Sequence, residues 1–353
     1  MRKLALLFIL AVAIVVGSAV LAGTILWARI TDLYKGYPSA EQFVDVPAGA
    51  SAADVRRRLV GAGVVRDDLT ARAALRWTGH AQRLKAGEYR FDRPMSAVAV
   101  IERIARGEVY TRRLTFPEGL TIAEMAEVYA RSGFGAADAF LAAAGRGDLI
   151  GDLDPGAPDL EGYLFPETYT LPRVVPAAQL VAVMVDELRR RVPDLPSRAA
   201  AQGFTVRDVM TLASLIERET ALAEERPLVA AVYRNRLRLG MAMQADPTVV
   251  YALQKAGRYD GNIRRADLNV DSPYNTYRYP GLPPGPIAAP GAASIEAALA
   301  PADVPYLYFV SRNDGSHVFA QTLRQHNANV LEHQILYFQR QREAQSRPGA
   351  SRP

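Results

Sequence analysis

The 353-residue chain contains no cysteine. That excludes disulfides, a thiol nucleophile and thiolate metal ligands together. Histidine is scarce: His80, His317, His326 and His333 lie far apart, with no HExxH or HxH spacing. A metal site built by the protein is therefore not expected, and nothing points to a cofactor. Gly-rich phosphate loops, zinc-finger spacings and RNP-like runs are also missing. The formal charge of +5 is modest for this length; it suits anionic envelope polymers or lipid and gives no reason to expect nucleic acid. With 49% hydrophobic and 22% charged residues, the chain has the balance of an ordinary folded protein and the length for two or three compact domains.

One apolar run stands out. After Met1-Arg2-Lys3, the segment Leu4 to Ala28 carries no charge and exceeds the roughly 20 residues that cross a bilayer. A cleaved signal peptide is the competing reading, with Val20-Leu21-Ala22 as a small-residue cleavage site. Signal h-regions stop at about 7–15 residues, whereas this run continues to Trp27, a residue type found at membrane interfaces. The expected arrangement is a cytoplasmic tip and transmembrane anchor over 1–30, oriented by Arg2 and Lys3. Everything after it then lies outside the cytoplasm.

Beyond a juxtamembrane linker (31–40), "VDVPAGASAADVRRRLVGAGVV" reads as strand, turn and a helix capped by Ser51 and closed near Gly61 or Gly63. "RLKAGEYRFDRPMSAVAVIERIARGE" repeats the logic, with a strand at Tyr89–Phe91 and a helix from Ser96 to about Arg106. Two short βα units give a small α+β module over 41–110. A larger, helix-rich α+β domain follows over 111–340. It opens with a capping box at Thr121 and Glu124, includes helices in "TVRDVMTLASLIERETA" and "ERPLVAAVYRNRLRLG", and has a hairpin turning at Asn313-Asp314-Gly315. A last helix from Leu323 to Glu343 leads into a tail, 341–353, expected to be disordered.

Within "ASLIERET" one carboxylate is misplaced. Wound at about 100° per residue, positions 206–220 gather Val206, Val209, Met210, Leu212, Ala213 and Ile216 on one arc. Glu217 falls inside that arc, between Val206 and Met210, while Glu219 falls outside it and reads as a surface residue. Leu215 breaks the pattern. A carboxylate among apolar neighbours ionises reluctantly, the state a general acid needs at neutral pH. The bland alternative is an ion pair with an arginine of another helix, such as Arg234 or Arg236.

Other motifs offer partners. "MQADPTVVY" places Gln244, Asp246 and Thr248 on a turn entering a helix, where Asp246 also reads as an ordinary cap. "YNTY" sets Asn275 between aromatics, with Tyr277 at its end; "GLPPGPI" reads as a rigid loop. "LEGYLFPETY" carries Glu161 and Glu167 among aromatic residues and proline, a loop that packs down or lines a groove.

In this order "LEGYLFPETY", "ASLIERET", "ADPTVVYAL", "YNTYRYPGLPPGPI", "PGAASIEAALAP" and "YLYFV…HVFAQTLRQHN" resemble the signature blocks of the YceG-like family, the endolytic murein transglycosylases. The anchor and "VPAGASAADVRRRL…AGEYRF…MSAVAVIERIARGE" are similar to that family's membrane segment and LysM-like subdomain. The resemblance runs from residue 4 to 335. It implies a single-pass inner-membrane enzyme that cleaves the MurNAc–GlcNAc β-1,4 bond of nascent peptidoglycan strands without water, leaving 1,6-anhydro-MurNAc ends and stopping strand growth. It implies association with the synthases that make those strands. It also implies Glu217 as the single acid–base residue, with Glu161, Gln244, Asp246, Asn275 and Tyr277 as substrate-binding groove residues. Two other readings stay open: a membrane-anchored peptidoglycan-binding scaffold in which Glu217 is an ion-pair partner, and a peptidoglycan hydrolase that uses Asp246 or Glu161 as a second carboxylate.

Overall fold

The computed structural model describes residues 2–346. The chain forms two compact units, Met1–Arg112 with Thr170–Arg173, and Arg113–Tyr169 with Val174–Pro353. The fold is α+β.

The first unit begins with α1 (Arg2–Thr31), which over Lys3–Thr31 is long and apolar enough to cross a membrane; a signal sequence shares those properties. There follow β1 (Gln42–Val46), α2 (Ala52–Gly61), α3 (Asp68–Thr78), β2 (Gly87–Phe91) and α4 (Ala97–Arg106). The two strands pair antiparallel with Val44 opposite Tyr89. Their inward residues Val46, Tyr89 and Phe91 pack with Leu59, Leu75 and Ile104 from the helices. Ser51 caps α2 in a capping box with Asp54, and Ser96 caps α4, as the sequence leads one to expect. Helix α3 was not expected, so the two βα units become one β-α-α-β hairpin followed by a helix. Its signals were in the sequence: the Asp67 side chain accepts from the Thr70 N–H at 2.8 Å, and Gly79 closes the helix at φ 67.

Strands β3 (Arg112–Thr115) and β4 (Thr168–Leu171) pair in a second ribbon. Helices α5 (Ile122–Arg131), α6 (Ala137–Ala144), α7 (Ala177–Arg191), α8 (Leu195–Ala201), α9 (Val206–Glu219), α10 (Arg226–Arg238), α11 (Asp246–Lys255) and α12 (Ala292–Leu299) build most of the second unit. Hairpin β5 (Tyr308–Ser311) and β6 (His317–Ala320) turns where the sequence places it, with Asn313 at φ 63 and Gly315 at φ 90. The last helix is segmented: α13 (Leu323–Val330), a π-helical stretch Leu331–Leu336, and α14 (Tyr337–Ser346). Residues 341–346, assigned to the disordered tail, thus complete a helix; 347–353 lie outside the described residues.

Helix α9 is the axis of this unit, with α8, α10, α11 and α12 all packed on it. Every residue from Val209 to Ile216 is buried, Leu215 included. A helix surrounded on all sides has no solvent face for the periodicity to report, which is why Leu215 broke the arc. Two of the quoted motifs lock onto one another nearby. Gly162, at φ 83, lies so close to Pro286 that any Cβ there would collide with the ring. The Ile287 N–H donates to the Ser214 hydroxyl at 3.0 Å, joining the proline loop to α9.

Candidate active site

The last turn of α9 sets the site. The helix starts at a capping box between Thr205 and Asp208 and stops after Glu219, where Thr220 turns extended at φ −136. Glu217 and Glu219 are two positions apart, so their side chains leave the helix about 200° apart. They enter different environments.

Glu217 points into a charged cluster, its own side chain 7% exposed. One oxygen accepts from the Arg226 guanidinium at 3.4 Å and the other from the Gly291 N–H at 3.0 Å. Arg226 also faces Glu118 at 3.5 Å. Burial, then the nearby Glu217 charge, pushes the Glu118 carboxyl up. A Cβ at Gly291 would collide with the Glu118 carboxylate, so the backbone closes this side of the cluster. The ion pair weighed as the alternative is therefore what the structure contains, with Arg226 as the partner. Arg234 instead stacks on Phe204 at 4.4 Å, and Arg236 donates to the carbonyls of Leu307 and Met243, each at 2.7 Å.

Glu219 does not lie on an open surface as expected; its carboxyl lines a cleft of about 370 Å³ together with Arg236, Gln244, Asp246, Tyr277 and His317. The Tyr233 hydroxyl donates to it at 3.2 Å. Burial pushes the Glu219 carboxyl up to about 7, with the Asp246 charge adding to the rise and His317, Tyr233 and Arg236 opposing it. A carboxylic acid that is half protonated near neutral pH and open to a cleft can give a proton and take one back.

The walls are built from α11 and the loops around it. Asp246 is the first residue of α11, but its side chain makes no cap; its carboxylate accepts from the Tyr277 hydroxyl at 2.6 Å. Burial and this bond push the Tyr277 phenol up, so it stays a donor. Gln244 sits in the left-handed region at φ 51, a conformation that costs a non-glycine residue about 1 kcal/mol. Its N–H is held by the Thr276 carbonyl at 3.2 Å. On β6, the His317 N–H and Nδ1 both meet the Glu225 carboxylate, at 2.7 and 2.6 Å. Burial raises Glu225, but these bonds outweigh it and hold its carboxyl below the usual range. An ionised Glu225 only accepts, so Nδ1 carries the proton.

The cleft therefore unites Gln244, Asp246 and Tyr277 of the expected groove residues. Asn275 stands behind them, fully buried: its amide donates to the carbonyls of Leu268 and Val270 at 3.0 and 2.8 Å, and its oxygen accepts from the Tyr277 N–H at 3.0 Å. It holds the loop that carries Tyr277 and leaves no group free for a sugar. Glu161 lines a different pocket, of about 310 Å³, with Thr121 and Lys255, sharing no residue with the cleft. Its oxygens accept from the Ile122 N–H at 3.0 Å and the Tyr251 hydroxyl at 3.2 Å. Burial pushes its carboxyl up to about 8.

That placement has a consequence for stability. Glu161 binds its proton more tightly in the folded chain than in the unfolded one, so folding is favoured at low pH and loses this contribution as pH rises from about 4.5 to 8. Glu161→Gln should flatten that part of the profile of thermal unfolding against pH. An unchanged slope would place the proton elsewhere.

Glu225 and His317 were not read as site residues from the sequence, Glu219 was read as a surface residue, and Arg236 was read only as an ion-pair partner for Glu217. Nothing linear marks Glu219; it is identified by Tyr233, Asp246 and Tyr277, which only folding brings beside it.

A profile of the YceG-like family matches residues 44–332. A Bacillus subtilis protein named endolytic murein transglycosylase is 32% identical over 300 residues, covering 80% of this chain and 82% of that protein. A Streptococcus pneumoniae protein of the same name is 31% identical over 322 residues; this chain, matched over 82% of its length, spans 58% of that relative. The crystal structure of a yceG-like protein from Listeria monocytogenes matches with a TM-score of 0.56 at 30% identity, over 82% of this chain and 98% of the other.

Proposed function

The chain belongs to the YceG-like family, and from that we propose that it is a murein transglycosylase that cuts peptidoglycan glycan strands internally, with Glu219 as its acid and base. The observation that carries the assignment is a carboxyl raised to about 7 facing a cleft that also holds Asp246, Gln244 and Tyr277. Glu217, the residue first favoured, has both oxygens committed to Arg226 and Gly291.

The chemistry follows from one carboxyl working twice. Protonated Glu219 gives its proton to the glycosidic oxygen between MurNAc and GlcNAc. The bond from that oxygen to muramyl C1 breaks, the GlcNAc 4-hydroxyl leaves, and positive charge develops at C1. The muramyl 6-hydroxyl attacks C1 from within the same sugar, and its proton passes to Glu219. One C–O bond breaks, another forms, and no water is consumed. Internal attack carries a large effective-molarity advantage, so no second carboxylate is needed to activate a nucleophile. The Asp246 charge favours the protonated acid at the start and steadies the cation at C1. Gln244 and Tyr277 supply polar groups for the N-acetyl substituent.

On the same reading α1 is an inner-membrane anchor that leaves the rest of the chain in the periplasm, near nascent strands and their synthases. Residues 41–110 form a LysM-like module whose role is to position glycan, and 111–340 form the catalytic domain.

Two measurements test this. Full-length protein in detergent, incubated with peptidoglycan and read by mass spectrometry, should yield 1,6-anhydro-muramyl ends. Reducing ends would favour the hydrolase reading, for which Asp246 in the same cleft is the second carboxylate; intact glycan would favour the scaffold. The pH profile is the second measurement. Because the acid must start protonated, kcat/KM should fall about tenfold per unit above pH 7. In Asp246→Asn the fall should begin at lower pH, since a negative neighbour that raised the acid is gone. A profile that rises through pH 7 would exclude Glu219 as the starting acid.

A further inference from the structure

The first unit exposes an apolar stripe where α1 ends. On α3, Leu69, Ala73 and Trp77 recur every four residues and share one face; Leu69 is 57% and Trp77 63% exposed. Neither is used by the core of the unit, which draws on Ala71, Ala74 and Leu75 from the opposite side. Between this stripe and α1 runs an open groove of about 390 Å³, lined by Gly23, Leu26, Trp27 and Ile30 on one side and Ala73, Arg76 and Trp77 on the other.

The last turn of α1 is fastened to this unit. Ile30 is 3% exposed within the core, and the Arg29 guanidinium donates to the Asp67 carboxylate, at the α3 cap, at 2.8 Å. The rings of Trp27 and Trp77 meet edge to face with centroids 4.6 Å apart. Trp27 closes the uncharged run, so a bilayer crossed by α1 has its polar boundary at that ring, and the ring of Trp77 shares that depth. Arg76, exposed and with no carboxylate partner among the described residues, lines the groove beside it, and a guanidinium at that depth would meet the lipid phosphates. An indole with one apolar body and one N–H donor suits that layer better than water.

We propose that the Leu69–Ala73–Trp77 face of α3, with the groove beside it, seats in the interfacial layer of the phospholipid bilayer that α1 crosses, with Arg76 at the headgroup phosphates. The occupant is the lipid surface itself, by continuity with the apolar helix to which this face is bonded. Such seating turns a tether into a fixed mount, holding the first unit against the membrane in one orientation. It rests on α1 being retained as an anchor and is independent of the chemistry of the cleft.

The chain has two tryptophans, and both lie in this contact. Trp27→Phe therefore leaves Trp77 as the sole indole, and Trp77→Phe leaves Trp27. Each full-length variant is placed in phosphatidylcholine vesicles containing phosphatidylcholine brominated near the headgroup end of its acyl chains. The expected result is that both indoles lose most of their emission to the brominated lipid and are shielded from aqueous acrylamide. Quenching of Trp27 with Trp77 still open to acrylamide would overturn the seating of α3 and leave the anchor. No bromolipid quenching of either would overturn it by removing the anchor itself. Glycan cleavage by the same preparations, read separately, keeps failure of the surface apart from failure of the enzyme.

Discussion

Glu219→Gln is expected to lower glycan cleavage by about 10²–10⁴-fold, the span attributed to a positioned general acid. The amide keeps an acceptor for the Tyr233 hydroxyl, so the α9 terminus stays folded while the transferable proton is lost. Glu217→Gln, two residues away, is expected to leave the rate within about tenfold of wild type. Its amide oxygen still accepts from the Gly291 N–H, and Arg226 keeps Glu118 as a partner. Release of anhydro-muramyl ends, measured for both variants at equal concentrations, separates the two carboxylates. Loss in Glu217→Gln with activity retained in Glu219→Gln would return the assignment to Glu217.

The largest loss of stability is expected at Arg226. Its side chain is 11% exposed and stands between two carboxylates, Glu217 at 3.4 Å and Glu118 at 3.5 Å. Arg226→Met removes the cation and leaves Glu217 buried and charged. Breaking a buried pair from one side destabilises by about 3–5 kcal/mol, because the remaining charge has lost both water and its partner. Thermal unfolding of the full-length protein in detergent should shift down by roughly 10 °C for a unit of this size. Adding Glu217→Gln to Arg226→Met should recover much of the shift, since the stranded charge is gone. A double variant no more stable than Arg226→Met would mean that the arginine acts through its packing.

The two predictions concern one short turn, and they show where sequence reading stops. Glu217 was singled out correctly as a carboxylate on the apolar side of its helix; what that side meets was not legible. An apolar arc tells which residues are buried but not whether they are buried against a cavity or against an arginine. In α9 it meets Arg226 and the Gly291 backbone. The opposite side, taken for solvent, faces a cleft because α10 and α11 pack there and bring Tyr233 and Asp246 with them. Asn275 shows the same limit: the family resemblance implied a substrate-binding role, yet in the fold its side chain makes three backbone bonds.

What the sequence determined by itself is local or ordered along the chain: the apolar helix, the helix starts at Ser51, Ser96 and Thr121, the turn at Asn313 to Gly315, the absence of thiol chemistry, and the motif order that resembles one family. These depend on backbone dihedrals, hydrogen bonds a few residues long and hydrophobic length, all readable in a window. The tertiary structure alone decided which carboxylate opens on the cleft, that Glu161 belongs to another pocket, and that Trp77 rests against Trp27. Each of those is a contact between residues distant in sequence. Because burial and neighbouring charge set what a carboxyl can do, the two glutamates of one tetrapeptide, "ERET", are distinguished by the surroundings that folding gives them.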